Sequence, residues 1–311
     1  MASTPFRPGA TALITGAASG IGFAVAQLCR THGMNLILVD IHADYLAKAH
    51  AVLGDTETAR TITHTMDVSE ESSWEFLREK VAQYFPAGID LLMLNAGVAL
   101  RAKDSKSPWE DLNYFQQTFA TNFYGVLNGI YTFLPLFTSS VQSSNAGPRA
   151  IVITGSKQGI TNPPGGHNPA YNASKAAVKS IAEQLSHDLR ASAATRNIAV
   201  HLLVPGWTYT AISGNIGPVP DAEALATKPK GAWLPSQVAE YMYKKMEQGK
   251  FYIICPDEDV SEALDKARMA WTVGDITMGR PALSRWDDEW KDKASAWIAQ
   301  EAERLEASHH H

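Results

Sequence analysis

The sequence predicts an α/β protein with one parallel β-sheet, doubly wound, and helices on both faces. Three observations predict it. Short β-branched and apolar runs alternate with longer stretches of helical periodicity. Most of these runs are almost continuously apolar, as parallel strands covered on both sides must be. A glycine-rich turn joins the first run to the first helical stretch. Repeated βα units of this kind imply right-handed crossovers, which place helices above and below the sheet.

The predicted strands are 11-TALIT-15, 34-MNLILVD-40, 61-TITHTM-66, 89-IDLLML-94, 150-AIVIT-154, 198-IAVHLLV-204 and 251-FYIIC-255. Helices are predicted at 20–32, 42–53, 69–84, 108–139, 171–194 and 235–248 from their apolar spacing. Residues 206–234 break the rhythm with a glycine- and proline-rich excursion over one end of the sheet, and a loop this long in a compact domain is usually functional. Beyond the last strand, Val260, Leu264, Ala267 and Trp271 mark one helical stripe. Trp286, Trp290, Ala294, Trp297 and Leu305 mark another, read as packing residues.

A chain of 311 residues can bury a full core, and the absence of repeats and low-complexity linkers favours one domain. We divide it into a catalytic unit at 1–256, with a substrate lid at about 206–234, and a helical extension of the same domain at 257–306. Residues 307–311 read as an artificial tail whose histidines enter no metal argument. The net charge of -5 speaks against nucleic acid or an anionic membrane as partner. No apolar run approaches the roughly 20 residues of a membrane span. The start, MASTPFRPGA, lacks an apolar core segment, so no signal peptide is expected. Cys29 and Cys255 are far apart and form no metal or redox spacing, which fits reduced thiols in a cytoplasmic protein.

The first strand runs into 15-TGAASGIG-22, with glycines at 16, 20 and 22. One glycine permits the tight turn, another lets a pyrophosphate approach the backbone, and the last lets helix and strand pack closely. The pyrophosphate then meets the positive end of the following helix. This context makes the fold Rossmann-type. Asp40 closes the second strand about 20 residues on, where a carboxylate accepts hydrogen bonds from the adenosine ribose. It also repels a 2′-phosphate, and Ile41 and His42, rather than an arginine, follow it. Its placement favours NAD over NADP. Asp40 also suits the N-cap of the next helix, and the two roles are compatible.

In 165-GGHNPAYNASKAAV-178, Tyr171 and Lys175 stand at i and i+4, on one side of a helix. Redox chemistry at a carbonyl needs a group that passes a proton. Free tyrosine, with a pKa of about 10, is a poor base at neutral pH. A cation about 4 Å away supplies about 4 kcal/mol at an effective dielectric near 20, enough to lower that pKa by 2–3 units. The bare spacing by itself favours a surface pair; its sequence neighbours change that reading.

Together these motifs resemble a classical short-chain dehydrogenase/reductase over about residues 9–255. TGAASGIG resembles that family's cofactor loop, which assigns Gly16, Ser19, Gly20, Ile21 and Gly22 to the cofactor. Asp67 and Val68 resemble the pair that meets the adenine. Asn95-Ala96-Gly97 resembles the N-N-A-G segment, with Leu94 in place of its first asparagine, a departure that touches a sheet contact more than catalysis. Asn122 in 121-TNFYG-125 matches the helical catalytic asparagine, Ser156 in 153-ITGSKQG-159 the substrate-orienting serine, and Tyr171 and Lys175 the Y-x-x-x-K pair. 205-PGWTYT-210 resembles the segment flanking the nicotinamide, with Pro205, Gly206, Thr208 and Thr210 as cofactor contacts.

The resemblance implies Tyr171 as general acid or base, Ser156 as hydrogen-bond donor to the substrate oxygen, and Lys175 as modulator of the tyrosine and partner of the nicotinamide ribose. It also implies Asn122 as holder of a relay water, and a homodimer or homotetramer built partly through 108–139 and 171–194. His167, Trp207 and Tyr209 are candidate substrate contacts, and the lid composition suits a bulky apolar or aromatic secondary alcohol or ketone. The alternatives are a non-redox cyclisation or isomerisation on the same Tyr–Ser pair, and a cofactor-binding protein that is not an enzyme. The tail either covers the active-site mouth or shapes subunit packing.

Overall fold

The structure, a computed structural model, describes residues 4–103, 107–139, 147–164 and 168–308. His167 and the terminal His309–His311 lie outside the described residues. Within β1 (Thr11–Thr15), Ala12 and Ile14 enter one apolar core while Leu13 enters another. In β2 (Asn35–Asp40), Leu36 and Leu38 take the first side and Ile37 and Val39 the second. Side chains alternate across a strand, so a run apolar at every position buries both faces. Each such aliphatic side chain contributes about 1.5–3 kcal/mol by leaving water.

β3 (Thr61–Thr65), β4 (Leu91–Leu94), β5 (Arg149–Thr154), β6 (Ile198–Val204) and β7 (Tyr252–Ile254) complete a seven-stranded sheet in the order β3-β2-β1-β4-β5-β6-β7. All pairings are parallel. The predicted strands match these positions to within two residues at each end. One core gathers α1 (Gly20–Thr31), α2 (Ala43–Leu53) and α9 (Pro235–Glu247) under the sheet through Phe23, Val25, Leu46, Val238 and Met242. The opposite core takes Trp74 and Leu77 of α3 (Glu71–Tyr84), Phe133 and Phe137 of α5 (Gly125–Ser139), and Val178 and Ala182 of α7 (Pro169–Ala191). The strand order reverses between β1 and β4, which opens a crevice at their carboxyl ends where such sheets bind ligands.

Two expectations need correction. The helix expected across 108–139 is broken. A 3₁₀ turn covers Pro108–Glu110, α4 runs over Leu112–Phe119, and a π-helical turn, Ala120–Tyr124, precedes α5. Asp111 starts α4 afresh by accepting a hydrogen bond from the Tyr114 amide at 3.0 Å. In the extension, α10 (Glu262–Thr277) begins at Ser261, whose hydroxyl caps the Leu264 amide, and α11 (Lys291–Ala307) follows. Its buried stripe is Ala294, Ile298 and Ala302 against Ala267 and Trp271. Trp297 is 38 % exposed and packs its ring 5.6 Å from that of Trp271, while Trp286 lies in a 3₁₀ turn before α11.

The segment 206–234, expected as a lid, contains a 3₁₀ turn at Ala211–Ser213 and the helix α8 (Asp221–Thr227), and its two ends meet at a parallel bridge between Thr208 and Trp233. It has a small core of its own, made by Tyr209, Ala224, Ala232 and Leu234.

Candidate active site

The glycine loop sits where β1 ends and α1 begins. Gly16 and Gly20 adopt φ of 64° and 52°, the left-handed region that favours glycine. Gly22 is constrained differently: a Cβ there would lie 2.2 Å from the Gly16 carbonyl oxygen and 2.8 Å from Asn95 Nδ2. Ser19, the N-cap of α1, makes no side-chain capping bond, and no acid occupies the first turn, so the positive helix end at Ile21 faces the crevice unopposed. Thr15, not singled out in the sequence, holds the loop beneath. Its hydroxyl accepts from the amides of Asn95 (2.9 Å) and Ala96 (3.1 Å), and Asn95 Nδ2 donates to the Thr15 carbonyl. Thr154 Oγ1 donates to Asn95 Oδ1, so Asn95 ties β1 to β5 across the end of β4. The sheet contact questioned by Leu94 is thus supplied by Asn95.

Asp40 accepts hydrogen bonds from the amides of Ala18 and His42, both at 3.1 Å. It braces the glycine loop from the end of β2. The N-cap of α2 is His42, so the capping role fits Asp40 less well than the loop-bracing one. At the end of β3, Asp67 accepts from the Ser69 amide and hydroxyl, and the Val68 carbonyl accepts from Trp74 Nε1 and Asn128 Nδ2. Gly20 and Thr210 close the crevice from above: a Cβ on Gly20 would lie 3.1 Å from Thr210 Cβ. Thr208 donates to the Gly206 carbonyl, just after Pro205 ends β6. These residues form a cradle of glycines, a free helix end and a carboxylate at the end of β2, which fits a dinucleotide.

The π turn presents Asn122 to the loop after β4. Fully buried, its Oδ1 accepts from the Val98 amide at 2.8 Å and its Nδ2 donates to the Val98 carbonyl and to Ser174 Oγ, each at 3.0 Å. Ser174 Oγ in turn donates to the Tyr171 carbonyl at 2.8 Å. Single π turns in α-helices frequently mark functional sites, because they re-aim one side chain without ending the helix. Gly97 makes room here: a Cβ would lie 3.2 Å from Asn122 Oδ1 and 3.4 Å from Lys175 Nζ.

Ser156, Tyr171 and Lys175 lie together where β5 ends and α7 begins. α7 begins at Asn168, whose side chain accepts from the Tyr171 amide and from the Tyr114 hydroxyl, the latter at 2.6 Å. The helix brings Tyr171 up to Ser156, which follows β5, near enough for the serine to act on the phenol. Lys175 is buried and donates to the Thr154 carbonyl at 2.8 Å, with its Nζ 5.8 Å from the Tyr171 ring centroid. Burial raises the Tyr171 hydroxyl above the ordinary tyrosine range, against a smaller pull downward from Ser156. Burial lowers Lys175 to about 8. With burial holding it above the ordinary tyrosine range, Tyr171 is protonated at neutral pH.

Lid residues divide. Trp207 is 50 % exposed at the lid's base. Tyr209 is buried in the lid's own core with its hydroxyl bonded to Thr227 Oγ1, so the sequence-based assignment to substrate gives way to a packing role. Period-2 reading of 207-WTYT-210 cannot tell which neighbour the lid folds onto. Two further residues beside Ser156 were missed. Gly159, in the short α6 (Gln158–Thr161), lets that turn lie directly on α7. Lys157 turns away from solvent toward Asp257 and Asp265 of the C-terminal extension. The extension thus packs beside the Ser156 loop.

Among the described residues no group of three or more His, Cys, Asp or Glu could hold a metal ion, and no helix is long and apolar enough to cross a membrane.

Residues 10–220 match the short chain dehydrogenase family, and the chain belongs to it. Among its relatives is a dehydrogenase/reductase of CLA biosynthesis from Lactiplantibacillus plantarum, 27 % identical over 263 residues, which span 79 % of this chain and 87 % of that one. The 15-hydroxyprostaglandin dehydrogenase [NAD(+)] of Mus musculus is 30 % identical over 210 residues, 67 % of this chain and 71 % of the relative. The crystal structure of a short chain dehydrogenase/reductase from Burkholderia phymatum in complex with NAD superposes with a TM-score of 0.72 at 28 % identity, covering 89 % of this chain and 96 % of that one. The protein is thus an oxidoreductase of a nicotinamide-dependent family that acts on CH-OH and C=O groups.

Proposed function

We propose that this protein is an NAD-dependent oxidoreductase that interconverts a bulky, apolar or aromatic secondary alcohol and its ketone. The observation that carries the reaction class is the convergence of Ser156, Tyr171 and Lys175 from β5 and α7, with Asn122 behind them. A nicotinamide held by these residues would supply or accept the hydride. In ketone reduction Tyr171 gives its phenolic proton to the substrate oxygen, and Ser156 donates a hydrogen bond to the same oxygen as charge develops on it. In alcohol oxidation Tyr171 takes the proton instead. Lys175 binds the nicotinamide ribose, favours the ionised phenol, and passes the proton toward Asn122 and a water held there.

Gly16, Ser19, Gly20, Ile21 and Gly22 cradle the pyrophosphate, and Asp67, Val68, Asn95, Ala96 and Gly97 line the adenine and ribose side. Pro205, Gly206, Thr208 and Thr210 hold the nicotinamide end. NAD over NADP rests on Asp40 at the ribose rim, where a 2′-phosphate would meet its charge. The NAD(+) in the name of the mouse relative supports the same preference. Exposed Trp207, Ile212 and Ile216 on the lid suit an apolar substrate. His167 stays a candidate substrate contact.

The protein works as a homodimer or homotetramer: Tyr124, Leu127 and Tyr131, which bear the apolar side of the π turn and α5, are exposed. Light scattering after size exclusion measures this, and a monomer contradicts it. Its two buried, unpaired thiols fit a reducing cytoplasm. Residues 257–306 form an extension of the catalytic domain rather than a second one.

The test is nicotinamide absorbance against a panel of aromatic and alicyclic ketones and alcohols, with NAD(H) and NADP(H) in parallel. Turnover with NAD(H) on bulky members supports the reading. Substrate conversion without any absorbance change would replace it with a non-redox reaction.

A further inference from the structure

Lys157 follows the candidate catalytic serine directly, yet it does not behave as a surface lysine. Its side chain is 14 % exposed, and its ammonium pairs with Asp257 Oδ2 at 3.4 Å and, more closely, with Asp265 Oδ2. Those carboxylates are 9 % and 3 % exposed. Both belong to the C-terminal extension: Asp257 follows β7, and Asp265 lies in the first turn of α10, which packs on α6. Arg268 Nη1 stands 3.5 Å from the other Asp265 oxygen, so each oxygen of that carboxylate faces a cation.

The same group reaches the nicotinamide-flanking segment. Asp257 Oδ2 accepts from the Trp207 amide at 3.2 Å. A Cβ on Gly206 would lie 2.5 Å from Lys157 Nζ and 2.9 Å from Asp257 Oδ2, so the backbone at 206 runs against the ion pair itself. Three chain segments therefore meet on one buried cation: the Ser156 loop, Gly206–Trp207 and the extension. A charge kept out of water is held in place by its partners, since moving either one leaves the other unpaired.

We propose that Lys157, Asp257 and Asp265 are positioning residues, through which the C-terminal extension fixes the Ser156 loop against the segment that flanks the nicotinamide. The extension is then more than an outer layer; it sets the distance between the group that polarises the substrate oxygen and the wall that orients the ring. The clamp itself stands on the charges and contacts alone, and its consequence for turnover rests on the oxidoreductase reading above. A misplacement of about 1 Å at such a site costs about 100-fold in rate.

The experiment is amide hydrogen exchange, read by mass spectrometry, on the full chain without added cofactor, comparing wild type with Asp265→Asn, Lys157→Met and Lys157→Arg. The expected result is exchange at least about tenfold faster in both 156–161 and 206–208 for Asp265→Asn and Lys157→Met. Lys157→Arg, which keeps the cation, stays close to wild type, and β2 stays protected throughout. Loosening confined to α10, with both active-site segments at wild-type protection, overturns the proposal. If Asp265→Asn does not fold, Lys157→Met carries the same comparison. On a substrate found by the absorbance panel, Asp265→Asn and Lys157→Met should lose about tenfold or more in kcat with KM for NAD(H) within about twofold, while Lys157→Arg stays close to wild type. Equal losses in kcat and cofactor binding would overturn the functional consequence. A wild type silent across the panel would instead refute the oxidoreductase reading and leave the exchange result to judge the clamp.

Discussion

Gly159 lies on the backbone of Lys175. A Cβ at 159 would come within 2.5 Å of the Lys175 carbonyl carbon and 2.7 Å of the Ala176 amide nitrogen. The turn that carries Ser156 is therefore seated backbone to backbone on the helix that carries Tyr171 and Lys175, with no side chain between to give way. Gly159→Ala must push α6 off α7. Overpacking of this kind costs about 1–3 kcal/mol, and here the displacement falls on the Ser156–Tyr171 pair. The expected outcome is a folded protein with a lower Tm and a kcat reduced about tenfold or more. Unchanged kcat would show that the serine loop tolerates the shift.

Lys175 gives a prediction in pH. Burial takes it from its usual 10.5 to about 8 in the folded chain. Below pH 8 the lysine is charged in both folded and unfolded states, and folding bears the full penalty of burying the charge. Between pH 8 and 10.5 the unfolded chain binds a proton that the folded chain does not, so stability rises with pH, by about 3 kcal/mol in all. The difference in unfolding free energy between wild type and Lys175→Met isolates this group. It should move in favour of wild type across that window. A flat difference would mean that the ammonium is better compensated than its single bond to the Thr154 carbonyl suggests.

Asp40 sets the cofactor test. Replacing it by serine removes the charge that opposes a 2′-phosphate, while the amides of Ala18 and His42 lose part of their acceptor. Asp40→Ser should shift the ratio of kcat/KM for NADP(H) over NAD(H) upward by about tenfold or more, with some loss on NAD(H). An unmoved ratio would place the discrimination elsewhere.

Gly22 tests the cradle separately from the chemistry. Its Cβ position lies 2.2 Å from the Gly16 carbonyl oxygen, which is backbone and cannot swing aside. Gly22→Ala should therefore lower Tm and weaken NADH binding, measured by fluorescence titration, about tenfold or more. Wild-type affinity would show that the loop has slack that its geometry hides.

Much of this was legible in the sequence because the signals are local. Strands buried on both faces read as unbroken apolar runs, and the glycines at 16, 20 and 22 sit between a strand and a helix where a turn must be. Tyr171 and Lys175 keep their helical spacing whatever surrounds them. What was not legible depends on distant partners. The π turn at Asn122 leaves the apolar periodicity of 108–139 almost untouched, so the sequence reads as one helix. Lys157, in a polar turn, looks solvated until Asp257 and Asp265 arrive from the far end of the chain. Tyr209 looks like a lid residue facing substrate until α8 folds back over it. The tail tryptophans were read as packing, which holds for Trp271, though small residues, Ala294 and Ala302, form much of the opposing face.

The most direct test of the central claim is Tyr171→Phe, assayed for turnover and for NADH binding together. The substitution removes one hydroxyl and leaves the ring, the Ser156 loop and the cofactor cradle in place. We predict NADH affinity within about twofold of wild type and turnover reduced by at least about 100-fold, since Ser156 offers that oxygen a hydrogen bond but is too weak an acid to replace the phenol. Turnover close to wild type, with the cofactor still bound, would contradict the role given to Tyr171 and with it the proposed mechanism.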